Sequence, residues 1–321
     1  MPLLEPRTAG LYCAAGDFWI DPLRPVPRAL ITHAHADHAR AGHGCVHAAA
    51  PGWPVLEHRL GALDGRPLDY GEPLRLGGAR VSLHPAGHIL GSAQVRIEAG
   101  GEVWLVSGDY KRQPDGTCAP FEVVPADVFV SEVTFGYPVY RWPEPTTVYA
   151  QIRDWWQDCA AAGETAVLLC YALGKAQRVL HGLHDSAEPI LLHGAMTALT
   201  ALYREAGVAL APTCPLSEYE GELAGRLVLA PPSAAGSPWM RRFRKRQLAL
   251  ASGWMMLRGP RRRRAVDRGF VLSDHADWPA LLRTIEEVNP QQVLLTHGDS
   301  APLLRYLREA GREAADLRGA R

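Results

Sequence analysis

The apolar run Ala29-Leu30-Ile31-Thr32 leads without a break into His33-Ala34-His35-Ala36-Asp37-His38. Four side chains able to ligate metal therefore fall within one short segment at the end of an expected strand. Alternation sends His33 and His35 the same way, and the turn that follows presents Asp37 and His38 to a neighbouring point. One loop can thus feed two metal ions at a sheet edge, an arrangement suited to hydrolysis by metal-activated water.

The 321 residues, 47% of them hydrophobic, are enough for two domains or for one domain with an insertion. The formal net charge is zero, so average charge indicates no polyanionic partner and only local clustering can. The six cysteines (Cys13, Cys45, Cys118, Cys159, Cys170 and Cys214) show no C-x-x-C spacing. That argues against a disulfide framework or a zinc knuckle and for a reducing, cytoplasmic setting. No basic segment followed by a long apolar one opens the chain, and no apolar run reaches about 18 residues. Neither a signal peptide nor a membrane span is expected.

Up to about residue 135 the chain reads as short strands bounded by Gly, Pro or Asp, at 16–20, 28–32, 80–85, 94–98, 103–107 and 127–132. Gly77-Gly78 and Gly100-Gly101 mark hairpin turns. The pattern changes after Pro138. Val148, Ile152, Trp155 and Cys159 predict a helix over 146–162, capped by Thr146 or Thr147. Strands at 165–171, 189–193 and 227–230 then alternate with helices opening near Gly174-Lys175 and Met196, the pattern of a parallel sheet. From Gly269 the order becomes strand, His275, helix 278–288, strand 292–296, His297.

Three more candidate ligands recur at such positions. His88 lies in the glycine-framed turn Pro85-Ala86-Gly87-His88-Ile89-Leu90-Gly91-Ser92. Asp109 follows the apolar run 103–106 in Ser107-Gly108-Asp109, where a carboxylate can bridge two cations. His297 ends the run 293–296 and precedes Gly298-Asp299. With His33, His35, Asp37 and His38 these make a ligand set for two metals. Histidine-rich ligation suits Zn²⁺, and the carboxylates and open positions would also accept Mn²⁺.

This H-x-H-x-D-H run with the later His88, Asp109 and His297 resembles the metallo-β-lactamase superfamily of dinuclear hydrolases. The resemblance implies an αββα four-layer sandwich. It places His33, His35 and His88 on one metal, Asp37, His38 and His297 on the other, and Asp109 between them. Asp21, in Trp19-Ile20-Asp21-Pro22, matches the family's early aspartate, which supports the histidine loop from behind.

Glu132 in Ser131-Glu132-Val133-Thr134, His275 in Ser273-Asp274-His275-Ala276-Asp277 and His297 in Thr296-His297-Gly298 resemble motifs A, B and C of the β-CASP nucleases. That family carries an inserted α/β domain where this chain changes character. The resemblance gives boundaries of 1–145 and 266–321 for the metallo-β-lactamase domain and 146–265 for the insertion. Asp37 would orient the nucleophile, His275 can donate a proton to the leaving oxygen, and Glu132 can orient His275.

Tyr12-Cys13, Gly174-Lys175-Ala176-Gln177, Ala230-Pro231-Pro232-Ser233 and Ala251-Ser252-Gly253-Trp254 resemble the bacterial DNA ligase-associated exonuclease branch, also labelled an mRNA 3′-end processing factor. The implied activity is metal-dependent phosphodiester hydrolysis. A DNA exonuclease in repair comes first, with association with an ATP-dependent DNA ligase. RNA 3′-end processing is the alternative, because a histidine at motif C resembles RNA-processing members. A small-molecule ester or thioester hydrolase and a non-catalytic scaffold that binds nucleic acid are the competing readings.

Nucleic-acid contacts are expected at three places. Lys175 opens a helix whose N–H groups can meet phosphate, and Ser252 precedes Gly253 in a similar turn. Arg241, Arg242 and Arg244 begin a basic run that continues to Arg268, with Phe243 and Trp254 available for base stacking.

Overall fold

The computed structural model describes residues 2–257 and 266–317, so Arg258 and the Arg261 to Arg264 part of the basic run lie outside the described residues. The chain divides into two compact units, Met1–Arg141 with His275–Arg321, and Trp142–Asp274.

The first unit contains two sheets. One runs in sequence order: β1 (Leu4–Arg7), β2 (Gly10–Cys13), β3 (Phe18–Ile20), β4 (Arg28–Ile31), β5 (Cys45–Ala49) and β6 (Gly65–Leu68). It is antiparallel through β3 and parallel from there on. The other is built from β7 (Leu74–Leu76), β8 (Ala79–Pro85), β9 (Ala93–Ala99), β10 (Glu102–Val106) and β11 (Val128–Glu132). Two late strands, β18 (Gln292–Thr296) and β19 (Glu313–Asp316), complete it in the order β19-β18-β11-β10-β9-β8-β7. Tight glycine turns at Gly77-Gly78 and Gly100-Gly101 close the antiparallel pairs β7–β8 and β9–β10.

Alternation along β10, β11 and β18 sorts their side chains into two cores. Trp104, Val106, Val128, Val130 and Leu294 pack with Phe18, Ile20 and Leu30 of the first sheet. Leu105, Phe129, Val293 and Leu295 face the other way, onto α5 (Trp278–Val288) and α6 (Ala301–Glu309). In α5 the buried Leu281, Ile285 and Val288 recur at helical spacing, and each contributes about 1.5–3 kcal/mol by burial. Asp277 caps α5 by accepting from the Ala280 N–H, and Asn289, at φ +51°, ends it. An earlier helix, α1 (Trp53–Leu60), buries Val55 and Leu56.

Among the described residues, the second unit holds a six-stranded, all-parallel sheet. Its strands are β12 (Thr165–Leu169), β13 (Ile190–Leu192), β14 (Thr213–Pro215), β15 (Leu227–Ala230), β16 (Arg246–Ala251) and β17 (Arg268–Phe270), in the order β14-β13-β15-β12-β16-β17. With it run α2 (Pro145–Ala161), α3 (Lys175–Gly182) and α4 (Gly194–Glu205). Val148, Ile152, Trp155 and Cys159 of α2 are all buried against this sheet's core. The helix begins one residue before the predicted Thr cap because Pro145 needs no N–H partner in the first turn. β17 pairs with β16, so residues 266–274, which the sequence reading gives to the C-terminal part of the first domain, lie in the second unit. Among the described residues, no helix is long and apolar enough to cross a membrane.

Candidate metal centre

All of the candidate ligands belong to the first unit. β4 stops at Ile31, and Thr32 turns its carbonyl to accept from the N–H of Ala93 at 2.8 Å, at the start of β9. The histidine loop then folds on itself, with the N–H groups of His38 and Ala39 both donating to the His35 carbonyl. Arg59 of α1 donates to the Ala34 carbonyl and pins the loop from outside. Asp21 holds it from behind. Its Oδ1 accepts from Thr32 N–H at 2.7 Å, and its Oδ2 accepts from Thr32 Oγ1 at 2.6 Å and lies 2.7 Å from His38 Nδ1. A carboxylate there keeps a proton on Nδ1, so a cation would be bound through Nε2 of His38.

His88 is held by a turn in which Ser92 Oγ accepts from the N–H groups of His88 and Ile89 at 3.0 and 3.2 Å. Asp109 depends on Gly108, which has φ +55° and whose missing Cβ would lie 2.8 Å from Thr32 Cβ. Only glycine allows the Asp109 loop to approach the base of the histidine loop this closely.

Three ring nitrogens converge. His35 Nδ1 lies 3.1 Å from His33 Nε2 and 3.0 Å from His88 Nε2. Ligands on a tetrahedral zinc, at about 2.0–2.1 Å from the ion, sit about 3.3 Å apart. The triad is therefore spaced as a metal would hold it. Asp109 Oδ2 lies 3.5 Å from His33 Nε2, 3.7 Å from His88 Nε2 and 3.4 Å from His38 Nε2. Among the described residues Nε2 of His38 is buried without a hydrogen-bond partner, an arrangement that costs free energy unless a cation engages it. The residues present fit a divalent metal on these grounds. His33, His35, His88 and Asp109 form one compact group, and Asp109, Glu132 and His275 form a second.

The other expected ligands are less closely drawn in. Asp37 is 73% exposed at its side chain, with Oδ2 3.9 Å from His38 Nε2. His297 is exposed, and its ring centroid is 4.9 Å from that of His38. His297 adopts φ +50°, a left-handed conformation unusual for a residue with a Cβ. Gly298 follows with φ +136°, where a Cβ would lie 2.4 Å from the Val133 carbonyl oxygen.

The electrostatics follow from burial and from Asp109. Burial pushes the His33 imidazole well below its ordinary value, and charge on His38 acts the same way. For His38, burial also opposes the charged form, but the Asp109 and Asp21 carboxylates outweigh it and hold the ring well above its usual value. Asp109 is buried too, yet His38, His275 and His33 keep it well below the usual carboxylate range.

Beside this centre, Glu132 is 1% exposed and accepts three hydrogen bonds. Its Oε1 takes the Tyr110 N–H at 3.1 Å and His275 Nδ1 at 2.9 Å, and its Oε2 takes the Thr134 N–H at 3.1 Å. Tyr110 also accepts from Ala276 N–H at 2.7 Å, which fixes the His275 segment from its other side. His275 Nδ1 lies 4.0 Å from Asp109 Oδ2, and its ring is 4.7 Å from that of His88. Sequence reasoning missed Tyr110 and Thr134 because both act through backbone N–H groups. It also missed Ser92 and Arg59, whose residue types carry no signal until the loops are folded.

The expected nucleic-acid contacts lie in the second unit, and their side chains are engaged in other ways. Lys175 is 3% exposed and pairs with Asp274 at 2.8 Å, so its ammonium is committed inside the fold rather than offered to a phosphate. Ser252 Oγ accepts from the Trp254 N–H as a cap. Phe243 is buried against Trp239 and Met240, which corrects its reading as a stacking residue. Arg241, Arg242 and Arg244 are exposed, with Arg242 lying over the Trp239 ring.

No family model matches the chain. It is 36% identical over 309 residues, 95% of its length, to a probable DNA ligase of Opitutus terrae, of which it spans 30%. It is 30% identical over 201 residues to a ribonuclease of Thermus thermophilus, covering 52% of this chain and 44% of that protein. An RNase J-like protein of Methanocaldococcus jannaschii is 27% identical over 39% of this chain and 32% of its own length. The chain thus spans less than half the length of these relatives. Its fold is like that of a solved protein of unknown function from Enterococcus faecalis, with a TM-score of 0.62 at 13% identity over 90% of this chain and 78% of that one. With the paired sheets, the clustered histidines and Asp109, and the second α/β unit, these similarities place the chain in the β-CASP branch of the metallo-β-lactamase superfamily.

Proposed function

We propose that the chain is a metal-dependent nuclease, and that it acts as a DNA exonuclease in association with a DNA ligase. The observation that carries the nuclease reading is the position of Asp109. Its Oδ2 is shared between the histidine triad and His38, and it lies 4.0 Å from a histidine that a buried glutamate orients. Ions bound there would acidify water and neutralise charge developing on a phosphoryl group. The chain's own residues do the rest. Asp109 draws the two ligand sets together, Asp21 fixes His38, and Asp37 at the open edge orients the attacking water. Glu132 accepts from His275 Nδ1, which turns Nε2 outward to pass a proton to the leaving oxygen.

The DNA reading is supported by the similarity that runs along nearly the whole chain to a protein named a DNA ligase. The match spans 30% of that protein, and its name supports joint action with a ligase at one broken end. The ribonuclease names of the other relatives favour a second reading, RNA 3′-end processing. The ions are Zn²⁺ or Mn²⁺, the setting is cytoplasmic, and the second unit serves as the inserted domain that carries the strand, with Arg241, Arg242 and Arg244 exposed on it.

One experiment tests this. End-labelled single- and double-stranded DNA and RNA are incubated with the metal-loaded protein, and the products are sized. Progressive shortening of DNA from one end supports the proposal. Shortening of RNA alone selects the second reading, and intact strands with every divalent metal overturn both.

A further inference from the structure

The segment after Glu132 carries a feature that metal ligation does not use. Phe135 and Tyr140 are buried at 3% and 4% exposure, but between them Tyr137 and Val139 stand 41% and 50% exposed. The segment is tightly folded: Gly136 N–H donates to the Val133 carbonyl and Tyr140 N–H to the Tyr137 carbonyl. It is also joined to both histidines at the open side of the centre. Val133 N–H donates to the His297 carbonyl at 3.2 Å, and the Phe135 ring meets the His275 ring edge-on with centroids 5.9 Å apart.

Tyr137 is not loose at this rim. Its hydroxyl donates to Asp299 Oδ2, two residues beyond His297. The other oxygen of Asp299 accepts from the Ala301 N–H at the start of α6, so the carboxylate is itself fixed. A tyrosine ring left to the hydrophobic effect would lie down on the surface and cover its faces. Here the hydroxyl is tethered while 41% of the residue stays exposed, so the ring is restrained before any ligand arrives and little conformational entropy is lost on contact.

We propose that Tyr137 is the stacking platform for one nucleobase of the substrate strand beside the scissile bond, with Asp299 as its positioning residue. This rests on the nuclease reading. A π-face is common to all bases, so the contact would fix where the strand sits without selecting sequence.

The test combines strand binding with turnover. Binding of a single strand carrying one 2-aminopurine is followed by fluorescence, and KM and kcat are measured on strands with one abasic position walked along them. Removing the stacked base is expected to weaken binding to the wild type about 10-fold at one position. Tyr137→Ala is expected to weaken binding of the intact strand by a similar factor, mainly in KM, and to be indifferent to the abasic position. Tyr137→Phe keeps the ring and should lose less than Tyr137→Ala, and Asp299→Asn should resemble Tyr137→Phe. Wild-type affinity in Tyr137→Ala, or an undiminished abasic penalty in it, overturns the proposal while leaving the nuclease reading intact. If the wild type binds strands without cutting them, the nuclease reading falls and the fluorescence still decides on Tyr137. If it binds none, both fall.

Discussion

His275 Nδ1 donates to Glu132 Oε1 at 2.9 Å, although 143 residues separate them. The contact assigns the proton on the imidazole and aims its other nitrogen away from the glutamate. It is also the point where β11 and the segment entering α5 are locked together.

His275 is half-buried beside the ligands but is not grouped with the histidine triad. His275→Ala is therefore expected to retain bound metal and to lose about 10²–10⁴-fold in kcat. Metal content by elemental analysis and single-turnover rates check this. Wild-type rates in the variant would show that another group protonates the leaving oxygen.

Glu132 separates structure from chemistry in a second pair of variants. Glu132→Ala leaves the buried Tyr110 N–H and the part-buried Thr134 N–H without an acceptor, and should lower unfolding stability by about 1–3 kcal/mol for the first and less for the second. Glu132→Gln keeps the volume and one acceptor oxygen. It should recover most of the stability in a urea titration but not the turnover, because a neutral amide cannot stabilise a charged imidazole. Full activity in Glu132→Gln would mean that the glutamate only holds the loop.

The ligands are unequally prepared, and metal binding should reflect it. The His33, His35, His88 and Asp109 group is drawn together, whereas Asp37 and His297 are exposed. Stepwise dialysis against a chelator is expected to remove one ion more easily than the other. His297→Ala should retain about half the metal of the wild type, and Asp109→Ala should lose nearly all of it. Equal retention in the two variants would contradict the bridging position of Asp109.

Among the described residues, the Asp21 carboxylate is bonded to one candidate ligand, His38, and to two donors on Thr32. Asp21→Asn should weaken metal binding about 10–100-fold by removing the charge that fixes the His38 tautomer. Competition with a chromophoric chelator measures it. An unchanged affinity would reduce Asp21 to a turn residue, which its φ of +42° also suits.

The sequence by itself determined which residues are chemically able to form the centre, and where they lie on their strands. His33 to His38, Asp109, Glu132 and His297 each follow an apolar run, and strand periodicity is local, so position at a strand end is legible from neighbours alone. The change to helical spacing at Val148, Ile152, Trp155 and Cys159 marked the second unit for the same reason. Tertiary structure decided what local pattern cannot carry. Lys175 looked like an exposed helix start, but it is buried because Asp274, nearly a hundred positions later, supplies its counter-charge. Phe243 sits among arginines in the chain, yet strand packing turns it inward onto Trp239. Residues 266–274 joined the second unit through the hydrogen bonds of β17 to β16. The grip of Tyr110 and Thr134 on Glu132 comes from backbone N–H groups that every residue type but proline possesses. Such contacts depend on which strand ends the fold brings together, and composition and spacing leave that choice open.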